Sequence, residues 1–217
     1  MTRLVLASTA ALLLTALAGC APSSPAVDPS AEVEASETAT PTPEAEPIVD
    51  TLVFRSESIE LVSEGEVVDE LSAEGEIDQA IASLSDVLGE PEFAVVPPGE
   101  CNAEFDQYVW PEIMQLDVPG RPLGTFDVRV FASEAPGVGG GAVQLQGPAG
   151  EQVGDDITAA IAATNPALVE SFLNSDIVLL EVGWLSSGFT AGVAAFAEDG
   201  IVNNMGMPIV VNSNLDC

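Results

Sequence analysis

Apolar and polar positions divide the chain into a short apolar leader, a polar stretch, and a long region that switches between helix and strand periods. Two runs in that last region place apolar residues at i, i+3 and i+4, the spacing of an amphipathic helix. The first is Ile77-Asp78-Gln79-Ala80-Ile81-Ala82-Ser83-Leu84. The second, 80 residues later, is Ile157-Thr158-Ala159-Ala160-Ile161-Ala162-Ala163-Thr164, identical to it at four of eight positions. Acids suited to the positive end of a helix precede each run, Glu74 and Glu76 in one case, Asp155 and Asp156 in the other. Gly89 should stop the first helix, with Pro91 beyond it as a breaker.

Short runs rich in Val, Ile and aromatic residues flank both helices and predict strands. They lie at residues 59–62 and 67–68, about a Ser63-Glu64-Gly65-Glu66 turn, and at 108–110, 126–131, 143–145, 177–182 and 193–196. Glu198-Asp199-Gly200 before Ile201-Val202 predicts a hairpin turn. The glycine-rich segment Ser133-Glu134-Ala135-Pro136-Gly137-Val138-Gly139-Gly140-Gly141 predicts a hinge between two halves. The expected fold class is α+β. Two strand–helix–strand units, at about 51–132 and 142–217, would each lay a helix on an antiparallel sheet, the pattern a tandem duplication would leave.

The leader begins with Met1-Thr2-Arg3 and continues as 14 residues from Leu4 to Leu17 in which only Ser and Thr interrupt the apolar run. That is too short for a stable span of a roughly 30 Å hydrocarbon core, but it fits the apolar region of an export signal. Leu17-Ala18-Gly19-Cys20 then resembles, in all four positions, the lipobox of the bacterial lipoproteins. The resemblance implies a diacylglyceryl thioether on the Cys20 thiol and cleavage just before it. Residues 1–19 would be the signal peptide, and Cys20 the lipidated first residue of the mature chain. A single Arg in the n-region, where two or three charges are commoner, is the one departure. Two acyl chains attach stably where one is marginal, at about 0.8 kcal/mol per buried methylene. The membrane is therefore an expected partner through Cys20, with the chain on the extracytoplasmic side of the cell membrane.

From residue 20 to about 50 the sequence reads as a spacer. Residues 21–50 combine Pro, Ser, Thr and Ala with seven acids and no aromatic residue, which leaves too little apolar surface to offset the entropy of ordering. The folded part would occupy residues 51–217, ample for one core.

Charge narrows the chemistry. The chain has 35 Asp and Glu against 4 Arg, with no His and no Lys, for a formal net charge of -31. Nucleic acid and other polyanions are poor partners for such a surface. Without His or Lys the usual bases for serine, threonine or cysteine nucleophiles are missing. Gly137-Val138-Gly139-Gly140-Gly141 precedes a predicted strand rather than a helix, so it reads as a connector and not a phosphate loop. Nine acids between Glu57 and Asp78 (Glu57, Glu60, Glu64, Glu66, Asp69, Glu70, Glu74, Glu76, Asp78) lack the spacing of a calcium loop and read as a solvated face. No catalytic, cofactor or metal site is expected.

Beyond Cys20 there are two cysteines, Cys101 and Cys217. In an oxidising compartment such a pair predicts a disulfide, which would stabilise the chain by roughly 4 to 5 kcal/mol in the chain-entropy treatment. Trp110 and Trp184 are expected in packing roles. Arg55, Arg121 and Arg129 are expected to pair with carboxylates, with Arg121 in a Pro119-Gly120-Arg121-Pro122 loop as the candidate for ligand contact. The functional expectation is a non-catalytic, lipid-anchored interaction module that binds protein. A small solute- or cation-binding lipoprotein associated with transport and a carboxylate-dependent hydrolase are the alternatives. At the level of layers alone, the expected units resemble beta-lactamase-inhibitor-like and PepSY-like domains.

Overall fold

Strands, not helix-covered sheets, account for most of the fold. The computed structural model describes residues 47–99, 103–119, 126–172, 175–186 and 189–211. In chain order the elements are β1 (Thr51–Phe54), β2 (Ser58–Ser63), β3 (Glu66–Ser72), α1 (Ile77–Leu88), β4 (Glu92–Val96), β5 (Phe105–Trp110), β6 (Met114–Pro119) and β7 (Asp127–Val130). Then come β8 (Glu134–Pro136), β9 (Ala142–Gln146), α2 (Thr158–Ala163), β10 (Val169–Phe172), β11 (Ser175–Ser186), β12 (Phe189–Glu198) and β13 (Ile201–Val211). A five-stranded sheet has the order β3-β2-β1-β9-β8, and an eight-stranded sheet the order β10-β11-β12-β13-β7-β6-β5-β4. The β1–β9 pair is parallel, with Thr51 opposite Gln144, whereas the other strand pairs described are antiparallel.

This corrects the expected α+β class. Each sheet draws strands from both halves of the chain: β1 pairs with β9, and β7 pairs with β13 through Val130 and Met205. Two separate strand–helix–strand units therefore do not exist in this fold, and the layer-level likeness to beta-lactamase-inhibitor-like and PepSY-like domains goes with them. The helix periods themselves were real. The second run was simply too weak: α2 has six residues, none of them buried, and gives way to an Asn165-Pro166 turn. The residue before a proline disfavours the helical region, which ends the run there.

The glycine-rich segment is not a hinge. It closes the β8–β9 hairpin, with the Gly137 N–H donating to the Gly141 carbonyl at 2.8 Å. Two predicted turns are present, at Glu64-Gly65 (φ 51° and 82°) and Asp199-Gly200 (φ 52° and 81°). In both, glycine takes the left-handed backbone without steric cost.

Side chains alternating with the period-two pleat build the core. Leu52 and Phe54 of β1, Val143 and Leu145 of β9, Met114 and Leu116 of β6, and Val128 and Val130 of β7 are all buried in one cluster that spans both sheets. From α1 the same cluster takes Ala80, Leu84, Val87 and Leu88. Strand β12 is built from small residues because both of its faces are covered. On the second face Leu179 and Ala194 pack with Leu168, Ile177 and Ile209. A Cβ added at Gly192 would overlap the Glu181 carbonyl oxygen, so only glycine fits that crossing.

Candidate functional site

The surface around α1 holds the chemistry that the core does not absorb. Its C-terminal end is fastened to both sheets. Gly89, with φ 85°, caps the helix by donating its N–H to the Ser85 carbonyl at 2.8 Å. Its own carbonyl accepts the indole N–H of Trp110 on β5 at 2.6 Å. One residue pair away, the Val138 N–H of the β8–β9 hairpin donates to the Val87 carbonyl at 3.0 Å. These bonds satisfy helix-end carbonyls that would otherwise lack partners.

Hollows lie on both flanks of the anchored helix. A groove of about 470 Å³ runs between Pro47–Asp50, the Ser83, Asp86 and Val87 side of α1, and the glycine hairpin. Ile48 and Val138 stand on it, 74% and 64% exposed. Asp50 there is already engaged, accepting from the neighbouring Thr51 hydroxyl and from the Glu64 N–H of the β2–β3 turn, each at 2.8 Å. On the opposite flank a shallow cleft of about 360 Å³ is lined by Asp78, Ile81, Ser85, Asp86, Glu90 and Tyr108.

Strand register extends this second flank on to β4. Phe93 pairs with Tyr108 and Val95 with Asp106, so these four side chains share one face. The rings of Phe93 and Tyr108 lie 5.2 Å apart at 49°, within the favourable range for aromatic pairs. Phe93 is 58% exposed and Val95 51%. Burial raises the Tyr108 pKa, and the Asp106 and Asp78 carboxylates add to the rise, so the phenol stays neutral. Neither Lys nor Arg stands on α1, β4, β5 or the glycine hairpin. The whole surface is apolar and anionic.

A second polar constellation is structural. Arg55, after β1, bonds Glu60 at 3.0 and 3.1 Å and the Pro148 carbonyl at 3.0 Å, and lies 3.5 Å from Glu181 on β11. The Glu181 carboxylate also accepts the Ser56 N–H at 2.8 Å. Hydrogen bonding to Glu60 raises the Arg55 pKa. For Glu181, burial pushes the carboxyl up, but the Ser56 and Arg55 hydrogen bonds outweigh it and hold the group below its ordinary value. The cluster ties the two sheets together, as expected for a paired arginine. Arg129 differs: its guanidinium lies over the Phe196 ring, 5.5 Å from the centroid.

Other expected residues fall as follows. Trp110 is core, 2% exposed. In the acidic run all but Glu60 are exposed, and among the described residues no group of three acids or thiols is close enough to hold a metal. The lipobox with Cys20, the disulfide candidates Cys101 and Cys217, and Arg121 lie outside the described residues, as does the side chain of Trp184. Ile48, Phe93, Val95, Tyr108 and Val138 are the site residues that sequence reasoning missed. The signal for Phe93 and Val95 was the uncharged Phe93-Ala94-Val95-Val96 run after Pro91-Glu92, too short for a period to be read from it.

No family model, no curated protein and no solved structure matches this chain.

Proposed function

We propose that the protein is a non-catalytic, lipid-anchored module of the cell exterior that binds a protein partner on the surface around α1. The lipobox ending at Cys20 and the acidic Pro-rich spacer support the anchoring part of this reading. One observation carries the binding part. Of the nine large apolar side chains exposed among the described residues, four (Ile48, Phe93, Val95 and Val138) flank this single helix. Clustered apolar side chains rimmed by charge mark interaction sites, whereas scattered ones need no explanation. Here they stand as two pairs, Ile48 with Val138 on one flank of α1 and Phe93 with Val95 on the other. The carboxylates of Asp78, Asp86 and Glu90 supply that rim.

Site-specific photo-crosslinking in the cells that make the protein tests this. A photoreactive residue at Phe93 or Val138 should give the same discrete protein adduct, and one at Ile201, exposed on β13, should not. Adducts of equal strength at all three positions, or at Ile201 alone, would remove the α1 surface as the binding face. Mass spectrometry of the native chain tests the anchor. A bare Cys20 thiol would refute it.

A further inference from the structure

Among the described residues four strands form the ends of the two sheets: β3, β8, β10 and β4. An end strand offers unpaired N–H and C=O groups, and natural proteins guard such edges with charge, proline, bulges or brevity. Three of these four are guarded. Glu66, Asp69 and Glu70 lie on β3, whose pairing with β2 is broken by a register shift at Leu61–Val62. Only three residues long, β8 ends in Pro136. Glu170 sits within the four residues of β10. Strand β4 has only one of these devices, the charge of Glu92 at its first position. After Glu92 it reads Phe93-Ala94-Val95-Val96, it pairs with β5 through five uninterrupted positions, and all of its residues but Val96 are exposed.

We infer that β4 receives an additional strand, supplied by an extended partner segment in which Lys or Arg alternates with apolar residues. This rests on the reading of the α1 surface as a protein-binding face and names the mode and chemistry of that binding. The two faces of β4 dictate the alternation, because successive side chains of an added strand point to opposite faces. On the α1 side lie Phe93, Val95 and Tyr108, with the carboxylates of Asp78, Asp86, Glu90 and Asp106 around them. A long basic side chain fits there, its methylenes on Phe93 and Val95 and its charge among the acids. On the other side Ala94 and Val96 stand next to Glu92 at the start of the strand and to Phe105 and Gln107 of β5. A Val, Ile or Leu of the added strand suits the Ala94–Val96 end. Charge decides between occupants. A second copy would bring the same acids and another -31 charges to the edge, and anionic lipid headgroups would be repelled likewise.

The test uses the full chain as purified from the cells that make it, and the blocked peptide Lys-Val-Lys-Val-Lys-Val-Lys as probe. Binding is read by anisotropy and by amide hydrogen exchange. The peptide should bind, and should slow exchange of the β4 amides. Methylating every peptide nitrogen, which keeps its side chains and charge but removes its donors, should weaken binding at least about tenfold. Ala94→Lys, at an exposed position where the fold is not at risk, should weaken it by a similar factor. A Glu-Val peptide of the same length should not bind. Equal binding by the methylated or the acidic peptide, or β4 exchange unchanged on binding, would overturn strand addition. So would β4 protection that appears without peptide as the chain self-associates, or that appears with anionic vesicles. A partner adduct at Phe93 together with failure of these tests would leave the α1 surface as a binding face and remove only the added strand. Absence of both would remove both.

Discussion

Trp110→Phe isolates the fastening of α1 to the large sheet. The indole is 2% exposed and donates to the Gly89 carbonyl at 2.6 Å, at the residue that caps the helix. Phenylalanine keeps a ring in the core but loses the donor and the volume of the five-membered ring. A hydrogen bond of this kind contributes about 1 kcal/mol net. Removing a whole buried Trp side chain costs about 3–5 kcal/mol, and this partial truncation about 1 kcal/mol of that. The total, about 2 kcal/mol, lowers the melting temperature by about 4–8 °C for a domain of this size. Thermal unfolding followed by far-UV circular dichroism measures it without relying on the lost fluorophore. Hydrogen exchange should place the change: the Gly89 and Val138 amides, bonded to Ser85 and Val87 at 2.8 and 3.0 Å, should exchange faster, and the β12–β13 amides should not. A melting temperature within about 1 °C of the parent, with α1 exchange unaltered, would refute the claim that Trp110 holds the helix end.

Two further outcomes follow from charge. Because Glu181 is held below its ordinary pKa in the folded state, its contribution is fully present above about pH 4.3 and is lost as pH falls through the folded value. The stability gap between the parent and Glu181→Gln should therefore be widest near neutrality and close in acid, while the protonation of the other carboxylates cancels between the two; a gap that stays constant down to pH 3 would show that the carboxylate is not doing this. Self-repulsion at -31 should be relieved as added salt shortens the screening length from about 30 Å at 0.01 M to about 8 Å at 0.15 M, so the melting temperature should rise with sodium chloride. Identical melting at both salt concentrations would contradict a strained acidic surface.

Local features were legible where local physics decides them. Helix α1 lies where the i, i+3, i+4 pattern and Gly89 put it, and the Glu64-Gly65 and Asp199-Gly200 turns match their residues. Pairing was not legible. Nothing near Thr51 records that it will lie beside Gln144, or near Val130 that it will lie beside Met205, because both contacts depend on chain closure over many residues. Ala159, Ala160, Ala162 and Ala163 gave the second run a helical look with little apolar surface to bury, so only six residues keep it. The candidate site was hidden for a related reason. Phe93 and Val95 look like ordinary strand residues in sequence, and only their place on a sheet edge beside α1 leaves them exposed.

Hydrogen exchange of the full chain in membranes of the cells that make it, where the proposed anchor would hold it, set against the same chain purified, tests the central claim most directly. If a partner occupies the surface around α1, amides of α1 and β4 will exchange more slowly in the membrane sample, while those of the β2–β3 hairpin and of β13 will not change. Equal exchange of α1 and β4 in the two samples, or protection confined to the hairpin, would contradict it.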